Sequence, residues 1–342
     1  MKFAVIGAGF YGCSIALSLS EDYPNANIHL FEKESDIFKG AASNNQHRVH
    51  KGFHYPRSVD TIDQILNVYN SFKSKYSHLI KTVDKNYYVI DEDSKVSIQD
   101  YIDVYSQYNI NYRKIGLEEV EPYMYTDIIQ GGVITDEEVI NLKDFKDYFT
   151  EQVRQRNNIT INLNSTFNDF SAYDFVINCT YENPNLGLTD NKFEIKYESC
   201  VIPVVNNFFK DDVCITVMDG PFVSAYQDGA GNLTLSSVLY TPYFKTDSYS
   251  ELKEKLRQDR SRVMRDEILP LMLHAAQYFK NMDHVDILKV YLSPKIKIKN
   301  DTNDLRTTDY RKEGNVISVL CGKISSIVYI YNLIKKEIDN VN

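Results

Sequence analysis

The sequence opens on a short apolar run, Phe3-Ala4-Val5-Ile6, that stops at Gly7-Ala8-Gly9-Phe10-Tyr11-Gly12. An unbroken, partly β-branched run ended by glycine predicts a buried parallel strand. Ile15, Ala16 and Leu19 then fall at helical spacing, and Asn27–Phe31 predicts a second strand. Strand, helix and strand over this length make a βαβ unit with a right-handed crossover. The glycines have separate tasks. Gly7 permits the tight turn, Gly9 lets a phosphate approach the backbone, and Gly12 lets the helix lie against the strand. The first turn of the helix, at Phe10 and Tyr11, then offers free N–H groups and partial positive charge to a pyrophosphate. Glu32 ends the second strand, where a carboxylate accepts hydrogen bonds from both hydroxyls of an adenosine ribose. It also disfavours a 2′-phosphate, although Lys33 beside it softens that preference. With its strand, helix, second strand and acid in place, the motif predicts a dinucleotide site. The motif alone leaves FAD and NAD undecided.

At 342 residues the chain predicts about two domains, and 43% apolar residues suffice for a substantial core. Thirty-eight basic against 47 acidic side chains give a net charge of −9. That excludes the basic field which non-specific nucleic-acid or anionic-membrane binding needs. The alternating lysines at 295–299 read as one solvated face of a strand. Five cysteines, Cys13, Cys179, Cys200, Cys214 and Cys321, are scattered without a CxxC pair, so spacing predicts no metal or redox motif. Met1-Lys2 runs straight into the first strand, and no apolar run approaches the roughly 20 residues of a spanning helix. The expectation is a cytoplasmic protein with a small-molecule substrate, no nucleic-acid partner and no membrane span, its oligomeric state open.

Beyond the βαβ unit, residues 61–80 predict an amphipathic helix, 87–90 a strand, and 96–108 and 117–120 further helices. Residues 142–156 predict a helix capped by Asn141, followed by strands at 159–163 and 175–178. Alternation with turn signals over 199–239 predicts an antiparallel sheet. Residues 250–279 read as helical, broken at Pro270, and 316–320 and 325–338 as a last strand and helix. The fold class is α/β, α+β overall: a Rossmann-like domain interrupted by a second domain with a mixed or antiparallel sheet. The nucleotide-binding domain takes residues 1–80, 136–190 and 295–342; the substrate domain takes 81–135 and 191–294.

The segment at 41–57 carries the next signal: Ala41-Ala42-Ser43-Asn44-Asn45-Gln46-His47-Arg48-Val49-His50-Lys51-Gly52-Phe53-His54-Tyr55-Pro56-Arg57. A solvated loop usually carries acids and lysines. Three histidines, two arginines and several amides suit an anionic or redox-active ligand better.

With this segment the chain resembles the FAD-dependent oxidoreductases of the D-amino-acid-oxidase-like family, which includes glycine and sarcosine oxidases, glycerol-3-phosphate dehydrogenases and 2-hydroxyglutarate oxidases. In that family a serine-containing loop follows the ribose acid and runs under the isoalloxazine. Ser43, Arg48 and His50 look like its positions, and His50-Lys51-Gly52-Phe53-His54-Tyr55 is similar to the stretch of the 2-hydroxyglutarate oxidases. Residues 131–142 look like the family's return loop to the cofactor domain. Asp174-Phe175-Val176-Ile177-Asn178-Cys179-Thr180 resembles the strand that ends at the FAD diphosphate, with Tyr181 where glycine is usual. Leu320-Cys321-Gly322-Lys323-Ile324-Ser325 resembles the turn whose backbone N–H groups face the pyrimidine end of the flavin. There a helix start and a lysine stabilise negative charge on the reduced ring. The resemblance thus implies FAD held by Gly7, Gly9, Phe10, Tyr11, Gly12, Glu32, Lys33, Ser43, Asn44, Asn45, Arg48, Val49, Cys179, Thr180, Gly322, Lys323 and Ile324. It implies an oxidoreductase that moves a hydride from an amine or 2-hydroxy acid-like substrate to flavin N5.

The catalytic candidates are Arg48, His50, His54, Tyr55 and Arg306, the last where the family often grips a carboxylate. Arg57 is a further gripping candidate. Tyr226 reads either as a pocket residue or as core. His50 and Cys321 are the side chains able to carry a covalent flavin, and a noncovalent FAD is expected. Rival readings are a non-redox flavoenzyme (mutase or lyase) on a sugar nucleotide or modified base, an NAD-linked dehydrogenase, and a non-catalytic nucleotide-binding protein.

Overall fold

The computed structural model describes residues 1–257, 260–299 and 308–341. A six-stranded sheet runs in the order Asp309–Glu313, Val316–Leu320, Phe175–Asn178, Lys2–Ile6, Asn27–Phe31, Ile159–Asn162. All its neighbours pair parallel except the first two. Strand periodicity explains its burial on both faces. Phe3 and Val5 enter the core shared with the helices Phe10–Asp22, Leu142–Arg154 and Ile327–Asp339. Ala4 and Ile6 point the other way, to a second cluster with Val176, Phe193 and Leu252.

The second sheet has nine strands and is mixed, not purely antiparallel. Val213–Met218 pairs antiparallel with Val223–Gln227 but parallel with Lys85–Asp91, because those two strands come from separate parts of the chain. Ile195–Val205 carries the twelve-residue strand Ile287–Ile298 along its length. A small third sheet, Arg48–Val49, Glu138–Ile140 and Ile80–Lys81, lies in the chain segments that cross between the two large ones.

Several elements differ from the sequence reading. The supposed return loop at 131–142 is two strands, Ile129–Thr135 and Glu138–Ile140. Its Gly131-Gly132 pair looks like a turn, yet a Cβ on Gly132 would lie 2.8 Å from the Tyr88 carbonyl oxygen, so the glycine serves close strand packing. The helical stretch at 250–279 is Tyr249–Leu256 and Leu269–Ala275, with a short helix and a π-turn between them. Pro270 sits in the first turn of the last helix, where its missing N–H costs nothing, and does not break it. The helix at 96–108 is confined to Ile98–Tyr105 by a Ser97/Asp100 capping box. Strands Tyr112–Ile115, Pro242–Thr246 and Asp309–Glu313 have no counterpart in the sequence reading. Asn141 caps its helix as expected, its Oδ1 accepting from Lys143 N and Asp144 N at 2.9 and 3.3 Å. No helix among the described residues is long and apolar enough to cross a membrane. No group of three or more His, Cys, Asp or Glu there is arranged to hold a metal ion.

Candidate functional site

The glycine turn joins the first strand to the helix Phe10–Asp22, as its spacing requires. Gly7 has φ +94° and lies against the Cys179 carbonyl; a Cβ there would be 2.9 Å from that oxygen. A Cβ on Gly12 would overlap the Gly7 carbonyl oxygen. Gly9 is different, since a Cβ there would meet only Ala42 Cβ at 3.6 Å. The fold itself leaves that space open. Gly9 caps the helix with no side-chain bond and no acid follows in the first turn, so the first N–H groups are available to an anion. Glu32 is nearly buried and is held by Ala8 N on Oε2 (2.8 Å) and Glu34 N on Oε1 (3.0 Å). Each oxygen keeps a lone pair for a ribose hydroxyl. An open cradle, an uncapped helix start and a fixed acid fit the pyrophosphate and ribose of FAD.

The other predicted cofactor residues line the same turn or support it. Phe10 is core, packed edge-on against Phe38 and Phe145. Lys33 pairs with Glu182. Thr180 N and Oγ1 both donate to Asn178 Oδ1, at 3.1 and 2.8 Å. Tyr181 has φ +52°, the left-handed conformation for which glycine is the usual residue. Ser43, Asn44 and Asn45 bond back onto their own loop, to the carbonyls of Phe38, Gly40 and Ala41.

The segment at 41–57 is less a polar loop than a buried one. His47, Arg48, Lys51 and Phe53 are all buried. His47 Nε2 lies 2.8 Å from the Ala42 carbonyl, and burial holds its imidazole neutral down to about 4. Arg48 donates through Nη1 to Thr216 Oγ1 (2.9 Å) and through Nη2 to Ser224 Oγ (2.7 Å), and stacks 3.9 Å over the Tyr226 ring. Tyr226 is fully buried and serves as that platform. Tyr101 and Tyr105 donate from the neighbouring helix to the Phe53 and Gly52 carbonyls, at 2.7 and 2.8 Å, and pin the loop.

Strand pairing explains the chemistry that follows. Arg48 lies opposite Val139 and Val49 opposite Glu138. One step further along the ladder, His50 Nδ1 lies 2.9 Å from Glu137 Oε1. The next step pairs Lys51 Nζ with Asp136 Oδ2 at 2.7 Å. Glu137 is fully buried and its Oε2 accepts from Tyr88 OH at 2.8 Å. His50 keeps 19% of its side-chain surface exposed. Burial lowers its pKa first, Glu137 opposes that, and Arg48 and Lys323 add to it; the net shift is downward. The His54 and Tyr55 rings lie 5.9 and 6.0 Å from the His50 ring.

The C-terminal turn closes the site from the first sheet. Lys323 Nζ stands 4.9 Å over the Tyr55 ring, and its carbonyl accepts from Tyr11 OH in the first turn of the glycine helix. Thr308 Oγ1 accepts from Gly322 N at 3.0 Å. Ile324 begins the short 3-10 turn that leads into the last helix. Thus Tyr11, Gly322, Lys323, Tyr55, His50 and Arg48 are brought together from both ends of the chain. Cys321 adjoins this turn, and burial pushes its thiol pKa far up. Arg57 pairs with Asp219 and is half exposed. Arg306 lies outside the described residues.

Sequence reasoning missed Glu137, Tyr88, Thr216, Ser224 and Thr308. A signal for Glu137 was present: the acids of Asp136-Glu137-Glu138 sit inside an apolar stretch, Val133-Ile134 before and Val139-Ile140 after. Acids at strand positions so flanked must find partners.

A family model described as FAD dependent oxidoreductase (DAO) matches residues 2–280. The FAD-dependent monooxygenase FPY4 of Fusarium mangiferae is 25% identical over 357 aligned residues, covering 99% of this chain and 91% of its own. The L-α-glycerophosphate oxidase of Mycoplasma pneumoniae, solved with FAD bound, superposes with a TM-score of 0.72 at 14% identity, over 97% of this chain and 92% of that one. Glycine oxidase from Geobacillus kaustophilus superposes with a TM-score of 0.69 at 11% identity, again over 97% and 92%. At such identities the structural likeness speaks for the fold. The family match covers most of the chain: the chain belongs to the DAO family of FAD-dependent oxidoreductases.

Proposed function

We propose that this protein binds FAD noncovalently and oxidises a small anionic 2-hydroxy acid-like substrate, with an amine as the alternative class. The observation that supports this most is His50. It is an imidazole kept neutral by burial, still reachable from solvent, with Arg48 and Lys323 as the cations acting on it. A neutral base beside fixed positive charge suits an alcohol next to a carboxylate. His50 takes the hydroxyl proton while the hydrogen on the same carbon leaves with its electron pair, and the carbon–oxygen bond becomes a carbonyl. Bound FAD supplies the two-electron acceptor at N5. Arg48 and Lys323 hold the anionic group and offset charge on the alkoxide as its proton leaves. An amine would need only to be neutral, and its imine product would hydrolyse.

Noncovalent binding is supported at both candidate attachment points. His50 is engaged by Glu137, and the Cys321 thiol is poorly ionised. The full-length likeness to a protein named as a monooxygenase favours a second reading, in which oxygen is inserted into the substrate.

The visible spectrum of the purified protein, followed by anaerobic addition of 2-hydroxy acids and amines, tests the proposal. A yellow protein bleached by 2-hydroxy acids supports it, and bleaching by amines alone moves it to the alternative class. A colourless protein that takes up no FAD overturns it. Labelled oxygen appearing in the product selects the monooxygenase reading, and turnover of a sugar nucleotide without net electron transfer selects the non-redox one.

A further inference from the structure

Glu137 is a carboxylate with no surface exposure. Burying such a group is costly unless it is paired. Its two oxygens face different partners: Tyr88 OH donates to Oε2 at 2.8 Å, and His50 Nδ1 stands 2.9 Å from Oε1, in ion-pair range though off the angle of an ideal hydrogen bond. Tyr88 is itself fully buried, and burial with the nearby Glu137 raises its phenol pKa well above the ordinary value, so it stays a donor. Oε2 is therefore committed, and Oε1 is the acceptor left for the imidazole.

We propose that Glu137 is a positioning residue: from the link that leads into the strand Glu138–Ile140, it holds the His50 ring with its proton on Nδ1, so that Nε2 carries the lone pair that takes the substrate's proton. The proposal rests on the reading of His50 as the base. It follows from register, because the ladder that pairs Arg48 with Val139 and Val49 with Glu138 ends just before His50 and Glu137 and brings these next residues side by side. It also follows from burial, since a side chain that water cannot reach holds one geometry.

The groups facing His50 come from every neighbouring element: Glu137 from the link before the strand Glu138–Ile140, Arg48 from the strand just before His50, Lys323 from the C-terminal turn, His54 and Tyr55 from the loop that follows His50, and Tyr88, through Glu137, from the second sheet. Of these, Glu137 alone is an acid. It sets the tautomer and opposes the two cations that would otherwise push the imidazole's pKa lower still.

The test uses the whole protein labelled with ¹⁵N-histidine, with His50 assigned through His50→Asn. Wild type is expected to show the Nδ1–H tautomer. Glu137→Gln, of equal size, is expected to mix the tautomers and lower the His50 pKa further. Flavin bleaching by a substrate found in the spectral screen should slow by about 100-fold or more in Glu137→Gln, with FAD and substrate affinity within about threefold of wild type. The acid limb of its pH–rate profile should move to lower pH. An Nε2–H tautomer in wild type overturns the proposal even if Glu137→Gln does not fold, and so does an unchanged His50 tautomer and pKa in Glu137→Gln. Bleaching that is unchanged in Glu137→Gln but lost in His50→Asn overturns the positioning role and leaves the base in place. Bleaching unchanged in His50→Asn overturns the reading of the base, and the positioning role of Glu137 falls with it.

Discussion

Gly12 lies so tightly against Gly7 that a Cβ on the former would overlap the carbonyl oxygen of the latter, while Gly9, between them in sequence, meets only Ala42 Cβ at 3.6 Å. Two glycines of one motif thus differ: the fold requires Gly12 and leaves open the space beside Gly9. Gly12→Ala is expected to destabilise the apoprotein by about 3 kcal/mol or more, because helix and strand must part. Gly9→Ala should leave apoprotein stability within about 1 kcal/mol and weaken FAD binding at least tenfold, roughly 1.4 kcal/mol. Urea unfolding of the apoprotein and fluorescence titration with FAD separate the two effects.

His47 supplies a prediction in pH. Burial lowers its pKa from 6.5 to about 4, with the bond to the Ala42 carbonyl opposing. The unfolded chain binds the proton near 6.5 and the folded one only near 4, so stability falls as pH drops through that window. The penalty is absent above it and complete below it, and amounts to about 3 kcal/mol. His47 has φ +53°, which asparagine tolerates, so His47→Asn removes the titration without straining the backbone. The difference in stability between wild type and variant should change by about 3 kcal/mol between pH 7 and pH 4, read by denaturant unfolding at each pH.

Arg48 spends its two Nη groups on hydroxyls, and its Nε has no hydrogen-bond partner among the described residues. Arg48→Met keeps the stem over Tyr226 and removes the charge. Stability should stay within about 2 kcal/mol, since the lost bonds are offset by relief of a buried cation. FAD uptake should persist, while anaerobic bleaching slows by about 100-fold. Equal loss of FAD in Arg48→Met and Gly9→Ala would show that the Arg48 loop is structural.

Tyr105→Phe removes one of the two donors to the Gly52 carbonyl, the other being Tyr55 N at 2.9 Å. The expected cost is about 1–2 kcal/mol, with faster amide hydrogen exchange at 52–55. Unchanged exchange there would mean that the loop does not depend on this phenol.

The parts of the fold readable from the sequence are those written locally. Phe3 to Ile6, the glycine turn and Asn27–Phe31 sit within one βαβ unit, and Asn141 announces the helix it caps. What escaped depends on distant pairing. The partners of Glu137 and Glu138 come from far along the chain, and the ladder that brings Arg48–Val49 to their side is not written locally. Gly131-Gly132 looks like a turn until Tyr88 occupies the space a side chain would need. His47, one of three histidines in a donor-rich loop, turns its ring back to Ala42, a choice set by a positive φ that no local pattern announces. The five charged or aromatic residues of Asp309–Glu313 form a strand only because Val316–Leu320 offers them an edge.

The first sheet has a consequence in time. Lys2–Ile6 is made well before its neighbour Phe175–Asn178, and that strand in turn needs Val316–Leu320. Tyr11 OH meets its hydrogen-bond partners at Thr308 and Lys323, among the described residues. The glycine turn thus leaves the ribosome long before the segments that surround it exist. A polypeptide ended before Val316 carries the glycine turn without the last strand of parallel pairing and without the Lys323 carbonyl that Tyr11 bonds.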